Sequence, residues 1–197
     1  MQTVAEARAR LCDPAYEVSA HWLIAEDGRA EALVHETQRA WHAGAGAWGG
    51  ITDINSHSIG IELANRGDHP FAARQMDGLE TLLAGIMARW AIPAHRIIAH
   101  SDMAPTRKGD PGARFDWQRL ARSGLSIWPN VAAPIDPNQF LPSARAFGYG
   151  DAPAGAVLNA FRLRFRPWAQ GILDGWDAAL AQDLALRYPV DPCPPMA

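Results

Sequence analysis

The sequence predicts an α/β fold, one sheet with helices packed on it, followed by a small helical module. Three observations predict it. Short apolar runs of strand length alternate with helix-period segments across residues 1–127, the pattern of a sheet covered by helices. A stretch rich in proline and small residues, Trp128 to Pro137 (WPNVAAPIDP), then breaks the order and reads as a linker. Residues 138–190 carry helix signals only, and a chain of 197 residues suits one medium domain plus a small one.

Residues Val4 to Leu11 read as a short helix, and Val18 to Ile24 (VSAHWLI) as a strand ending at the turn Glu26-Asp27-Gly28. A second strand covers Ala32 to Val34. Ala43 to Asn55 is rich in glycine and small residues, which marks a surface loop. Ser58 to Leu63 (SIGIEL) is mostly apolar, as expected of a central strand covered on both faces. From Ala72 to Trp90, the residues Met76, Leu79, Leu83, Ile86 and Trp90 recur at three or four, giving an amphipathic helix that Pro93 ends. Arg96 to Ala99 reads as a short strand with His100 at its C-terminal end, and after a Gly/Pro loop a helix begins near Trp117. In the module, Gln139 to Ala146, Ala154 to Arg164 and Trp176 to Arg187 read as three short helices.

A net charge of −3 argues against an electrostatic grip on nucleic acid or anionic lipid, since that needs a basic patch to displace counterions. No window of about 18 apolar residues is present, so no membrane span is expected. The start, MQTVAEARARL, lacks the apolar core of a secretion signal. Cys12 and Cys193 have no metal-type spacing and make no disulfide framework. The partner is therefore found by shape and local chemistry, and oligomeric state is unreadable.

Chemistry concentrates in one stretch. His100 closes a strand and Asp110 lies in the following loop. Together they offer an imidazole nitrogen and a carboxylate oxygen of the kind a zinc ion accepts, where a catalytic site uses three protein ligands and leaves one position to water. Such a pair is a weak signal by itself. Two further blocks give it context: Trp41-His42-Ala-Gly44, and Asn55-Ser-His-Ser58-Ile-Gly-Ile-Glu62.

Together with His100-Ser-Asp-Met-Ala-Pro-Thr-Arg-Lys108-Gly-Asp110, these blocks resemble, in order, the zinc-dependent N-acetylmuramoyl-L-alanine amidases, relatives of the peptidoglycan recognition proteins. The resemblance runs from about Val18 to Leu120 and implies a central mixed sheet flanked by helices. It implies His100 and Asp110 as zinc ligands, Glu62 as the catalytic carboxylate and Lys108 as the lysine beside the metal. A carboxylate there can take a water's proton and pass it to the leaving amine, and a fixed cation suits a tetrahedral oxyanion. Read without its flanks, Glu62 is sooner a structural carboxylate paired with an arginine, and Lys108 beside Arg107 a solvated loop charge; the motif reverses both readings. Trp41, His42 and Asn55 line the substrate groove or fix loops. His57, His69 and His95 are read as surface histidines.

The resemblance also implies a third zinc ligand, a histidine ending an earlier strand. Only Met1 to Thr3 precede the first helix, so that strand and its histidine are expected upstream of Met1, in a longer reading frame. His21 and His35 are the substitutes within the chain. With two ligands alone, zinc affinity falls by orders of magnitude and the sheet has an open edge. The module, with Ala146-Phe-Gly-Tyr-Gly150 and Ala160-Phe161-Arg162-Leu-Arg-Phe-Arg166-Pro167, resembles a small peptidoglycan-binding domain, or is a packing appendage. The implied activity is hydrolysis of the amide between N-acetylmuramic acid and L-alanine in peptidoglycan or muropeptides. The alternative is a binding protein that holds muropeptides uncut. Localisation is cytoplasmic if the start is genuine, and periplasmic or envelope if a signal lies upstream.

Overall fold

The structure, a computed structural model, describes residues 3–190. Helix α1 (Val4–Cys12) begins where the Thr3 hydroxyl accepts the Glu6 N–H at 3.2 Å. Its inner face is alanine and leucine, so Ala7 and Leu11 pack on Ala20 and Leu23. Cys12 is a free, exposed thiol, and Cys193 lies outside the described residues.

Three short strands form the sheet: β1 (Trp22–Ile24), β2 (Ala30–Ala32) and β3 (Ile61–Leu63), in the order β2-β1-β3. β1 pairs antiparallel with β2 and parallel with β3, so the sheet is mixed. The expected first strand shortens because Val18 to His21 bonds irregularly: Ser19 donates to the Trp41 carbonyl, and His21 and Trp22 both donate to Gly60. The second strand shifts from Ala32–Val34 to Ala30–Ala32, because Leu33 and Val34 both direct their N–H groups at the His21 carbonyl. Gly28 makes the turn between them with φ +89, a conformation that favours glycine.

Two strand expectations need correction. In the described sheet β1, not the Ser58–Leu63 run, is central; β3 pairs on one side, with β1. Arg96–Ala99 is not a strand: a 3-10 turn covers Ala94–Arg96, and His100 opens a helix, α3 (His100–Met103), instead of closing a strand. Local polar groups supply the reason. The Ala99 N–H goes to the Asp102 carboxylate at 2.9 Å and the Ile97 carbonyl accepts from Arg164 at 2.8 Å, so backbone that a ladder would use is held by side chains.

Helix α2 (Ala73–Trp90) packs on the sheet through Met76, Leu79 and Leu83, which share a core with Ile24, Ile61 and Leu63, and Ile86 is buried further along the same stripe. Gln75, buried on the same face, donates from Nε2 to the carbonyls of Ile24 and Ala64, each at 3.1 Å, and so ties together the chain at the ends of β1 and β3. Trp90 departs from the apolar stripe: it is exposed, and its indole N–H donates to Glu36. Helix α4 (Trp117–Arg122) adds Trp117 and Leu120 to this core.

The linker leads to α5 (Phe140–Phe147), α6 (Ala154–Phe165) and α7 (Gly175–Arg187). Phe140, Phe161, Phe165 and Leu184 from these helices share one apolar core with Trp48, Ile54 and Met103 of the first part. A polar network crosses the same boundary. Asp102, fully buried, accepts from the Tyr149 hydroxyl at 2.6 Å and from Arg164 at 2.8 Å. The Arg164 guanidinium lies over the Trp117 ring at 4.4 Å. Among the described residues no helix is long and apolar enough to cross a membrane.

Candidate active site

A cleft of about 720 Å³ opens beside β3, and Trp41, His42, Glu62, His100, Lys108 and Asp110 all line it. These residues come from four places. Glu62 is the middle residue of β3, His100 the first of α3, Lys108 and Asp110 belong to the loop after α3, and Trp41 and His42 to the loop after β2.

The loop after α3 is folded back on its own helix. Ser101 donates its backbone N–H to the Asp110 carbonyl at 3.1 Å, while Arg107 and Lys108 both donate to Ala104. This brings Asp110 Oδ2 to 2.5 Å from His100 Nδ1. Arg107 ties the loop to the opposite wall, donating to the carbonyls of Ala43 and Ala45, each at 2.6 Å. Arg107 was legible only as a neighbour of Lys108; a guanidinium can hold two carbonyls at once, where an ammonium is a point charge.

The charges of the cluster set one another. Burial pushes the His100 imidazole down, but the hydrogen bond and charge of Asp110 outweigh it, so it is held above its usual value. Burial raises the Asp110 carboxyl, and the bond to His100 more than reverses this, leaving it lowered. Glu62 goes the other way. Its burial, with the negative charge of Asp110 beside it, raises its carboxyl above the usual range despite His100 and Lys108 nearby. A carboxylate held reluctantly ionised in a cleft is suited to accepting a proton.

His42 stands on the adjoining wall, ring to ring with His21 at 5.6 Å. Burial first, then the charges of His21 and His100, depress its imidazole to about 4, so it is neutral near pH 7. Its Nε2 is buried without a hydrogen-bond partner among the described residues, a polar atom free to meet a bound molecule. Gly60 makes room for this ring: a Cβ there would come within 2.3 Å of His42 Cγ.

Other expected residues do not join the cleft. Asn55 is nearly buried, and its side-chain oxygen accepts from the N–H groups of His42 and Ala43 at 3.1 and 2.9 Å, so it holds the loop that carries the histidine. His21 has both ring nitrogens in use. Nδ1 accepts from the Gly60 N–H at 2.9 Å, which leaves Nε2 to donate to the Gln38 carbonyl at 3.0 Å. His35 is exposed beyond β2, with Nδ1 2.8 Å from the Thr37 hydroxyl. His57 and His69 are exposed, although His57 reaches the rim of the cleft, and His95 is half-buried and stacks on Tyr188. Asp102, Tyr149 and Arg164 were not singled out from sequence as a support for α3, because nothing local pairs residues so far apart.

His100 and Asp110 fit a zinc ion in donor type, but they are two. Among the described residues no group of three or more His, Cys, Asp or Glu is placed to hold a metal ion. The set present is short of the three protein ligands of a catalytic zinc site.

Comparison with known proteins finds relatives in both sequence and structure. The family described as N-acetylmuramoyl-L-alanine amidase matches residues 1–113. The N-acetylmuramoyl-L-alanine amidase AmiD of Escherichia coli K12 is 35% identical over 210 residues, 89% of this chain and 76% of that protein. The 1,6-anhydro-N-acetylmuramyl-L-alanine amidase AmpD of Haemophilus influenzae is 42% identical over 107 residues, 54% of this chain and 58% of that protein. Among solved structures, E. coli AmiD in complex with anhydro-N-acetylmuramic acid-L-Ala-D-gamma-Glu-L-Lys superposes with TM-score 0.88 at 34% identity, covering 96% of this chain and 86% of that one. AmpDh3 of Pseudomonas aeruginosa superposes with TM-score 0.82 at 29% identity, covering 93% and 87%.

Proposed function

Since the chain belongs to the N-acetylmuramoyl-L-alanine amidase family, we propose that its cleft binds a muropeptide and cuts the amide between the lactyl group of N-acetylmuramic acid and L-alanine. The observation that carries this is the convergence of Glu62, His100, Lys108 and Asp110 on one cleft. Glu62 takes the proton of the attacking water and returns it to the leaving amine; its raised carboxyl makes that exchange easier near neutral pH. Lys108 provides positive charge toward the developing oxyanion. Neutral His42 offers its unpartnered Nε2 to the substrate, and the exposed indole of Trp41, covered on one side by Arg39 at 4.2 Å, forms a wall for it.

A zinc ion in this cleft would be held by His100 and Asp110 with a third ligand that the described residues do not place beside them, and would polarise the scissile carbonyl. The substitutes lack support: His21 has no nitrogen to give, and His35 does not line the cleft. The two-donor set equally favours a second reading, a protein that holds muropeptides without cutting them. One assay separates the two. The chain is incubated with anhydro-N-acetylmuramoyl tripeptide and zinc, and release of the L-alanyl peptide is followed by mass spectrometry. Release that disappears in Glu62→Gln supports the amidase; binding without release supports the binding protein.

A further inference from the structure

Helix α3 is a single turn, too short to hold its own geometry, so the placement of His100 at its first residue has to come from outside it. The bonds that fix it come from the helical module. Asp102 is fully buried and its two oxygens are divided among three donors: Oδ2 accepts the Ala99 N–H at 2.9 Å and Arg164 at 2.8 Å, and Oδ1 accepts the Tyr149 hydroxyl at 2.6 Å. Arg164, on α6, also donates to the Ile97 carbonyl at 2.8 Å. One guanidinium therefore holds the chain on both sides of His100.

The loop after β2 is tied to the same place. Ala47 donates to the Met103 carbonyl at 2.8 Å, at the far end of α3, and Gly49 donates to the Gly148 carbonyl at 2.9 Å. Between them, Trp48 packs edge-on against Tyr149 with ring centres 5.1 Å apart. Tyr149 thus meets the loop that leads from His42 and, through Asp102, the helix that begins at His100. Cohesion alone does not call for these groups. A buried ion pair adds little stability over apolar side chains of the same volume, because both charges give up their water; what it adds is direction. Here every direction ends on α3 or the residues just before it.

We propose that Arg164 and Tyr149 are positioning residues of the active site: through Asp102 they set the angle of α3, and with it the His100 ring against Asp110. The helical module is then part of the scaffold of the cleft, and residues 1–127 are not a self-sufficient catalytic unit. The part His100 plays in hydrolysis rests on the amidase reading; its positioning does not.

The test uses the full chain, labelled with 15N at histidine and treated with chelator. Long-range 1H–15N spectra report the tautomer and hydrogen bond of each ring, and His100 is assigned by its loss in His100→Gln. The Nδ1 proton shared with Asp110 at 2.5 Å is expected far downfield in the wild-type chain. Tyr149→Phe deletes one hydroxyl, and Arg164→Lys keeps the charge but not the forked reach. Each is expected to shift and broaden the His100 signal while His21, held by Gly60 and Gln38 in the sheet, keeps its own. With zinc and anhydro-N-acetylmuramoyl tripeptide, kcat is expected to fall about tenfold at unchanged KM, the scale on which groups that orient a site residue act. An unmoved His100 signal in Tyr149→Phe overturns the proposal, whatever stability that variant loses. Joint movement of the His100 and His21 signals, the mark of general loosening, overturns it too. A chain that shows the His100 shift but releases no peptide in any form sinks the amidase reading and leaves the positioning standing.

Discussion

Replacing Asp102 by asparagine keeps its shape but removes the only buried anion that faces Arg164 among the described residues. Arg164 is 1% exposed and Asp102 0%, so neither charge has water to fall back on. The Asp102 carboxylate accepts from Arg164, from the Tyr149 hydroxyl and from the Ala99 N–H at the start of α3, at 2.8, 2.6 and 2.9 Å. In Asp102→Asn the guanidinium keeps the Ile97 carbonyl and the Trp117 face but no counter-charge. Stranding one partner of a buried ion pair costs about 3–5 kcal/mol. At about 2–4 °C per kcal/mol for a chain this long, the melting temperature falls by roughly 6–20 °C. Arg164→Met strands Asp102 in turn, and the double variant loses less than the sum of the singles. Urea unfolding of all four forms closes the cycle. A single-variant loss under about 1 kcal/mol, or additivity within about 0.5 kcal/mol, would show that the network is not a coupled unit.

Glu62→Gln should abolish peptide release while raising stability. The folded state holds this carboxyl above its usual value, so the ionised form is disfavoured by folding; that penalty is present above the raised value and absent below the ordinary one. The gain in urea midpoint is therefore expected at pH 7 and should vanish near pH 4, and a variant less stable at pH 7 refutes the assignment. For the same reason, the acid limb of the wild-type rate profile should sit above the ordinary carboxylate range, measured as kcat/KM against pH. Gly60→Ala forces a methyl into the His42 ring, and overpacking of this kind costs about 1–3 kcal/mol; crystallography should show the ring displaced, and an unmoved ring would be contrary. Asn55→Ala leaves the N–H groups of His42 and Ala43 without their acceptor, at about 1–3 kcal/mol, and should raise KM more than it lowers kcat. An unchanged KM would separate Asn55 from the groove wall.

Helices were readable in the sequence because each carries its own signal. The α2 stripe at Met76, Leu79, Leu83 and Ile86 repeats at helical spacing, and the buried residues follow it. Strands were less legible because a strand is defined by a partner. Arg96–Ala99 has the composition of a strand, yet Asp102 and Arg164 hold its backbone groups, and Arg164 lies in a helix that local pattern cannot connect to it. The same holds for register. His21 sits in an apolar run that reads as strand, but Gly60 and Gln38 take both its ring nitrogens and β1 starts one residue later.

The site was legible in a different way. Glu62, His100, Lys108 and Asp110 were grouped through the resemblance of three ordered blocks to the amidase family, not through spacing alone, and the structure adds the loop geometry: a helix one turn long, a return, and a carboxylate facing the first helical residue. Ser101, bonding to the Asp110 carbonyl, closes that return. What spacing could not report is which polar side chains serve the loops rather than a ligand. Asn55 and His42 look alike in sequence, each a polar residue in a motif, and only the destination of their hydrogen bonds separates them. The oxygen of Asn55 is saturated by backbone, whereas a nitrogen of His42 is buried with no partner among the described residues. An unsatisfied polar atom in a cleft is costly unless something binds there, so the sharper functional assignment falls to His42, with Asn55 as the residue that holds its loop in place.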